Sequence, residues 1–548
     1  MTLDDIGHVA VLGAGTMGHG IAEVVALAGY DVTMRDIETE FVEAGYEDIE
    51  WSLEKLDGSG RLGESPDDVL ARIETTVDLE SAVSDADFVI EAAPEELEIK
   101  HGVFEALDEY APAHAVLASN TSSLPITDIA AATDRPDSVV GTHFFNPPVK
   151  MDLVEVIYGE RTSDETAETA SDFVESIDKT PIYVRKDVRG FVVNNVLGPF
   201  VEEAAWMVSE GTAEIREADA TMVHEREYPM GPFELGDLTG IDVSYRVRVE
   251  AERPVPPILE SKVDAGAIGR KTGKGYYDYG SDDGANYTPE DASEAFDWLR
   301  IEARMSNEAA KLIGDDVATP EAIDTGLRLG AGFPEGPCRR ADGIGLDAVL
   351  EKLDALYESY DEDRYNVSPY LRELVESGRT GKAAGAGFYE YAETDGGTGT
   401  EERGVFHEIE VGDTDVTDGR TITGADVTNF AGVSGDFNHI HMDEERMRES
   451  IFGERIAHGM LVLSAATGLI WQYRSLEMRD AVVAFYGLDD LRFRKPVYTG
   501  DTIHVKMEVV ETTPRPDGPG NGTVTFALEI KNQRDEVVIS CEMTSLLK

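Results

Sequence analysis

The stretch HVAVLGAGTMGHGIAEVVALA, residues 8–28, decides the fold. Five strand-like residues run straight into Gly13-Ala-Gly15-Thr-Met17-Gly18, and from Thr16 onward the apolar positions recur at helical spacing. In such a strand–turn–helix unit the first glycine permits the tight turn, and the second lets a pyrophosphate approach the backbone. The third lets the helix pack on the strand, with the phosphate at the helix N-terminus. Three glycines so spaced can also serve a turn and nothing more; Asp36 adds a second signal. It ends the next strand-like run, 21 residues after Gly15, where its carboxylate can accept from a ribose 2′-hydroxyl and would repel a 2′-phosphate. The stretch therefore predicts an NAD site, with the adjacent Arg35 leaving NADP as the other reading.

Outward from this unit, short apolar runs (YDVTM, DFVIEA, AVLAS, VVGTHFF) alternate with amphipathic stretches to about Val184, the pattern of a parallel sheet with crossover helices. Residues 1–185 are read as one α/β nucleotide-binding domain. After Gly190 helical patterning takes over, opening with FVVNNVLGPFVEEAAWMVSEG, so residues 186–280 are read as an all-α domain. Residues 281–393 read as a second copy of it. Tyr228-Pro-Met-Gly-Pro-Phe233 is echoed by Phe333-Pro-Glu-Gly-Pro-Cys338, and GRKTGKGYYDY (269–279) by GRTGKAAGAGFYEY (378–391). The offset is 105 at the first pair and 112 at the closing tyrosines, a single duplication and not the short period of a solenoid. No dinucleotide fingerprint precedes this copy, which is therefore expected to pack on the first and complete its core. Residues 394–403, TDGGTGTEER, read as a flexible linker. Residues 404–548 form a separate α+β domain: a helical run at HGMLVLSAATGLIWQYR, then strands at AVVAFYGLDDLRFRKPVY, DTIHVKMEVVET, TVTFALEIKNQ and VVISCEMTSLL, with PRPDGPGNG as a loop.

Composition bounds the partners. Of 548 residues, 41% are hydrophobic and 28% charged, which fits a folded globular chain and neither a disordered nor a membrane-embedded one. The 109 acidic residues outnumber 47 basic ones for a net charge of −62, spread along the chain. Such a surface repels nucleic acid and anionic membranes and resembles that of proteins from salt-loving cells. Neither cysteine, Cys338 or Cys541, has metal-ligand spacing to another Cys or a His, and a reducing cytoplasm is expected. No apolar run approaches the ~18–20 residues of a membrane span, and the acidic start lacks the basic region of an export signal.

The chemistry begins at His143-Phe-Phe-Asn146-Pro-Pro148-Val-Lys-Met-Asp-Leu-Val-Glu155. Two strand-like runs flank a Pro-Pro turn centred near Val149, and His143 and Glu155 are equidistant from it, so a hairpin would set them face to face. A carboxylate beside an imidazole fixes its tautomer and raises its basicity, suiting it to take an alcohol proton as hydride leaves the same carbon. A histidine at a strand end can also be purely structural; the pairing and the upstream nucleotide motif favour catalysis.

SNTSSL (119–124), HFFNPP with LVEVI, GFVVNN (190–195) and YPMGPFELGDLTGID (228–242) together resemble the NAD-dependent 3-hydroxyacyl-CoA dehydrogenase family over about residues 6–280. The resemblance implies a Rossmann-like domain followed by helical domains, the tandem copy being similar to that of multifunctional fatty-acid oxidation enzymes. It implies His143 as catalytic base with Glu155 as its partner, and Ser122 and Asn194 near the substrate carbonyl and hydroxyl. Cofactor contacts are implied for Gly13, Gly15, Met17, Gly18, Asp36, Glu95, Lys100, Asn120, Asn146 and Lys271. Ser52 and Lys55 are implied at the coenzyme A side. Pro148 departs from the pattern, many members having a single proline there.

A second constellation stands at Ser434-Gly-Asp436-Phe-Asn438-His439-Ile-His441, with His458-Gly-Met-Leu-Val-Leu-Ser464 about twenty residues on. An Asp and a His that share one water can activate it for addition to a conjugated double bond, once the carbonyl is polarised. His439 and His441 could instead be a metal pair, although no third ligand stands nearby in sequence, and a structural role is the third reading. GDFNHIH, AHGMLVLSA and RFRKPVYTGDTI resemble the MaoC-like hydratases, which have a hot-dog fold, over about residues 405–548. This implies Asp436 and His441 as the hydrating dyad, Asn438 as its support and Ser464 by the thioester carbonyl; no metal is expected, for want of that third ligand, and His439 stands where many members have Pro.

Together these readings predict a bifunctional acyl-CoA enzyme with NAD as cofactor, forming at least a homodimer. One competing reading keeps the dehydrogenase but makes the hot-dog domain a binding and dimerisation module without chemistry. Another, a dehydrogenase of a small free hydroxy acid, is disfavoured by the fused coenzyme A-handling domain.

Overall fold

The computed structural model describes residues 3, 6–58, 62–280, 284–391, 406, 409, 411–417, 419–448, 450–473, 478, 481–515 and 522–547. The linker expected at 394–403 and most of the PRPDGPGNG loop lie outside the described residues. The chain divides into two compact units, Met1–Thr394 and Asp395–Lys548.

The first unit is built on eight strands: β1 (His8–Leu12), β2 (Asp31–Arg35), β3 (Ile73–Thr76), β4 (Phe88–Glu91), β5 (Val116–Ser119), β6 (Val139–Phe144), β7 (Leu153–Ile157) and β8 (Thr180–Val184). They lie in the order β3-β2-β1-β4-β5-β6-β7-β8, a doubly wound Rossmann-like sheet whose strand order reverses at β1. Every residue of β4, β5, β6 and β7 is buried, because helices cover both faces and the central strands must be apolar on both sides. The sheet is not wholly parallel. β7 runs antiparallel to β6, and β8 runs parallel to β7. The cause is local: the few residues around Pro147 and Pro148 are too short for a crossover and can only return the chain alongside itself. There Lys150 and Met151 N–H both donate to the Pro147 carbonyl, at 2.9 and 3.1 Å.

Beyond the sheet, the helices Val193–Glu210 and Trp298–Gly314 open the two helical copies, and their starts stand 105 residues apart. The copies repeat the same buried carboxylate knots. Asp219 accepts from the Phe233 and Glu234 amides and the Tyr277 hydroxyl. Asp324 accepts from the Cys338 and Arg339 amides and the Tyr389 hydroxyl. Asp237 and Asp342 likewise each tie down two amides and one tyrosine hydroxyl of the closing glycine-rich turns. One hydrophobic core runs through both copies and one face of the sheet. An ion cluster joins the copies: Arg300 of the second bridges Glu203 and Glu210 of the first and meets the Tyr365 hydroxyl at 2.8 Å.

In the second unit, β9 (Thr414–Val416), β10 (Arg420–Thr421), β11 (Val482–Phe493), β12 (Thr502–Pro514), β13 (Gly522–Asn532) and β14 (Val537–Leu547) form an antiparallel sheet. The order is β10-β12-β13-β14-β11, with β9 also on β12. Alternate residues of β12 are buried on the long apolar helix Gly459–Tyr473, through Leu461, Val462, Ala465 and Leu469, which is the hot-dog arrangement. No described helix is long and apolar enough to cross a membrane.

Candidate functional sites

At the glycine-rich turn, Gly13 has φ +116° and a Cβ on it would strike the Ala92 carbonyl, while a Cβ on Gly18 would strike Gly13 itself. A Cβ on Gly15 would meet nothing within 4 Å. The turn is thus closed on its protein side and open at Gly15, where the helix Thr16–Leu27 begins with no side-chain cap and no acid in its first turn. Those leading amides suit an anion. The Asp36 carboxylate accepts from the Ala14 and Ile37 amides, both at 2.7 Å, and stays half-exposed beside the turn. This donor set fits a dinucleotide. Met17, half-buried, packs on the adjoining core.

Glu95 gathers the SNTSSL loop: its Oε1 accepts from Thr121 Oγ1 at 2.7 Å and from the Ser122 and Ser123 amides at 2.9 and 3.0 Å. Burial alone would raise its carboxyl, but Lys100 and these donors outweigh burial and hold it below the usual range. Lys100 is itself only 1% exposed; its ammonium meets Glu91 at 2.7 Å and Glu95 at 3.4 Å. Ser119 Oγ donates to the same Glu91 at 2.6 Å. The sequence reading missed Glu91, whose signal was an acid closing the apolar run FVIE nine residues before a lysine. Asn120 holds the Phe144 amide at 2.9 Å, and Asn146 is exposed just after β6.

The register of β6 and β7 pairs His143 with Glu155. His143 Nδ1–H donates to Glu155 Oε2 at 2.6 Å, and Glu155 Oε1 accepts from the Val192 and Val193 amides at 2.9 and 3.0 Å. Those amides belong to the entry of the helix Val193–Glu210, aimed at the carboxylate by left-handed backbone at Gly190 (φ +80°) and Phe191 (φ +48°). With Nδ1 committed, Nε2 carries the lone pair. Phe145 and Phe191 stand 4.6 and 5.7 Å from the imidazole, ring centre to ring centre. The extra Pro148 is buried against Gly20, the one residue type leaving room for it. Ser122 and Asn194 are exposed, and the Ser122 hydroxyl lies 3.2 Å from Glu95.

Three other predicted positions are spoken for locally. Ser52 hydrogen-bonds buried Glu23. Lys55 lies over the exposed Trp51 ring at 4.8 Å. Lys271 Nζ pairs with Asp242 at 2.6 Å. The internal duplication sorts these roles, since at the same offsets the second copy keeps both aspartate knots but has Leu299 for Asn194 and Ala383 for Lys271. What folding needs is retained; these two polar groups are not.

In the second unit Asp436 Oδ2 and His441 Nε2 are 4.0 Å apart, too far for a direct hydrogen bond and suited to a shared water. His441 Nδ1–H donates to the Ile456 carbonyl at 2.7 Å, leaving the lone pair on Nε2. Burial, and next to it His458, hold the His441 imidazole below its ordinary range against the opposing Ile456 bond and Asp436. Asn438 caps the short turn His439–Met442 through the Ile440 amide, and the Ser464 hydroxyl donates to the Met460 carbonyl within its own helix. His458, which the sequence reading names without a role, stacks on His441 with ring centres 3.7 Å apart. A third group thus joins the cluster, and Asp436, His441 and His458 offer ligand atoms within 4.8 Å of one another. A ring nitrogen binds a cation in its own plane, however, and two stacked rings with centres 3.7 Å apart and an interplanar angle of 26° direct their lone pairs side by side instead of converging on a zinc ion about 2.0–2.1 Å from each nitrogen. The arrangement suits water better.

This fold and these sites describe a two-part protein, a dinucleotide-binding α/β unit with a His–Glu pair joined to a hot-dog domain. The chain belongs to the 3-hydroxyacyl-CoA dehydrogenase family: it matches that family's NAD binding domain over residues 8–188 and its C-terminal domain over 190–279 and again over 296–391. A MaoC like domain is matched over 409–529, and NAD is the cofactor. A probable 3-hydroxybutyryl-CoA dehydrogenase of Deinococcus radiodurans is 43% identical over 277 residues, 49% of this chain and 99% of that protein. The fatty acid oxidation complex subunit alpha of Shewanella amazonensis is 35% identical over 399 residues, 68% of this chain and 56% of that one. The crystal structure of 3-hydroxybutyryl-CoA dehydrogenase from Escherichia coli superimposes with a TM-score of 0.64 at 30% identity, covering 68% of this chain and 99% of that one.

Proposed function

We propose that the chain oxidises a 3-hydroxyacyl-CoA to the 3-oxoacyl-CoA in its first unit and reversibly hydrates a 2-enoyl-CoA in its second. The observation that carries the first activity is the buried 2.6 Å bond from His143 Nδ1 to Glu155, itself anchored by two amides. It leaves His143 Nε2 to take the hydroxyl proton, while Glu155 steadies the charge that the ring acquires. Bound NAD supplies the acceptor for the hydride leaving C3. Ser122 and Asn194 stand by the substrate oxygens, and Gly15, Asp36, Glu95, Asn120, Asn146 and Lys271 hold the cofactor. In this reading Lys100 acts from beneath, by fixing Glu95, and Ser52 and Lys55 meet coenzyme A.

For hydration, Asp436 and His441 grip one water between them. The pair takes a proton from that water as its oxygen bonds to C3, and a proton returns to C2, so the elements of water are added without any redox change. The test uses purified protein: 3-hydroxybutyryl-CoA with NAD should yield NADH, and crotonyl-CoA without NAD should yield 3-hydroxybutyryl-CoA. Oxidation without hydration would leave the hot-dog domain as a binding or dimerisation module.

A further inference from the structure

We infer that His458 is the positioning residue of the hydrating pair, holding the Asp436 turn through its backbone and the His441 ring by stacking. The inference rests on the hydratase reading above. His458 comes from a different part of the chain, directly ahead of the core helix Gly459–Tyr473, and is 3% exposed. The Ala457 amide before it donates to the Val497 carbonyl, so the ring stands on the domain's framework.

From there it makes two contacts that serve the pair. Its Nε2–H donates to the Asp436 carbonyl at 2.9 Å, across 22 residues. Its ring lies 3.7 Å from that of His441 at an interplanar angle of 26°, with Phe430 packed 5.1 Å away. Without it Asp436 itself would be held by longer bonds, its amide donating to Ser434 Oγ and its Oδ1 accepting from the Asn438 amide, both at 3.2 Å. The 4.0 Å opening between Asp436 and His441 depends on where that turn sits.

His458 also carries a cost that core packing alone does not explain. Nδ1 is buried with no hydrogen-bond partner among the described residues, where an apolar ring of similar size would leave no unsatisfied atom. The stack supplies a reason. Two imidazoles in face contact do not readily both take a proton, so His458 helps to keep the lone pair on His441 Nε2. Among the described residues, the titratable groups that act on His441 are His458 and Asp436, the first opposing its protonation and the second favouring it.

Two variants separate the contacts. His458→Phe keeps a ring over His441 and loses the bond to Asp436; hydration kcat should fall by up to about 10²-fold, as for a catalytic group displaced by about 1 Å, with KM little changed. His458→Gln can still donate to the Asp436 carbonyl and should recover most of that loss. Both remove the second titratable ring. His441 should then protonate more readily, and the acid limb of kcat/KM should move to higher pH in both. Oxidation of 3-hydroxybutyryl-CoA by the same preparations reports on the integrity of the rest of the chain. If either variant keeps the parent kcat and the parent pH profile, the inference is wrong; should the Phe variant unfold, the Gln variant decides alone. Failure of the underlying reading looks different: Asp436→Asn would then hydrate crotonyl-CoA at the parent rate.

Discussion

His143 and Asp436 are each held by hydrogen bonds within their own unit, and this makes their variants a crossed pair. His143→Gln keeps a polar side chain but not a base, and loss of general-base catalysis should lower NADH formation roughly 10²- to 10⁴-fold. Hydration of crotonyl-CoA should be untouched. Asp436→Asn should do the reverse, removing hydration and sparing the oxidation of supplied 3-hydroxybutyryl-CoA. Assaying both variants for both activities checks this; parallel losses would show that the units do not act independently. The residues of the first dyad were legible because strand periodicity and a Pro-Pro turn fix which positions face each other, and the register pairs them accordingly. His458 stands in the second constellation of the sequence, but its role there was not legible. Its link to Asp436 is a backbone carbonyl 22 residues away, and no spacing rule covers such a contact. Lys100 shows the complementary limit, since a motif position does not reveal that the ammonium is 1% exposed beneath Glu95.

At the scale of elements, what the sequence concealed lies at the sheet's edge. β3, IETT, lacks an apolar run because two of its four residues are exposed at the edge, so periodicity passes over it. The reversal at β7, by contrast, is the hairpin that the short Pro-Pro turn predicts. The helices Thr16–Leu27 and Thr39–Gly58 pose a different question. Glu23, 1% exposed on the first, hydrogen-bonds Ser52 of the second, and its Oε1 has no hydrogen-bond partner among the described residues. Burial pushes its carboxyl up to about 7, with the Ser52 bond opposing. A carboxyl whose folded value lies above its unfolded value favours the fold below the unfolded value, near 4.5, and that contribution is lost as pH rises through about 7. Glu23→Gln removes the charge at constant shape. It should therefore raise the melting temperature at pH 8, by an amount corresponding to at most about 3 kcal/mol from a shift of this size, and change little at pH 5. Melting curves of both proteins at the two pH values test this, and equal shifts at both would refute the assignment.

For the whole molecule, charge comes first. With 62 net negative charges, self-repulsion should weaken the fold in dilute buffer, where the Debye length is about 10 Å at 0.1 M, and fade near 1 M, where it is about 3 Å. The melting temperature should rise between roughly 0.1 and 2 M KCl; a flat response would count against a saline cytoplasm. The second question is whether the two activities form a relay. The dehydrogenase resemblance leads to the (S)-3-hydroxyacyl-CoA, whereas MaoC-like hydratases usually deliver water to give the (R) isomer, so at face value one unit's product is not the other's substrate. Facial choice depends on the side of a bound enoyl group at which a water held between Asp436 and His441 would lie. His439, standing beside that pair where many relatives have proline, is the local change that could alter it. Covalent fusion raises the effective concentration of one unit's product at the other even when the sites are far apart, and that advantage exists only if the isomers match. We therefore expect a working relay: crotonyl-CoA and NAD, with no other enzyme, should give steady NADH and acetoacetyl-CoA. Accumulation of (R)-3-hydroxybutyryl-CoA without NADH would rule the relay out and leave the hydratase serving a separate branch, with an (S)-specific hydratase required to feed His143.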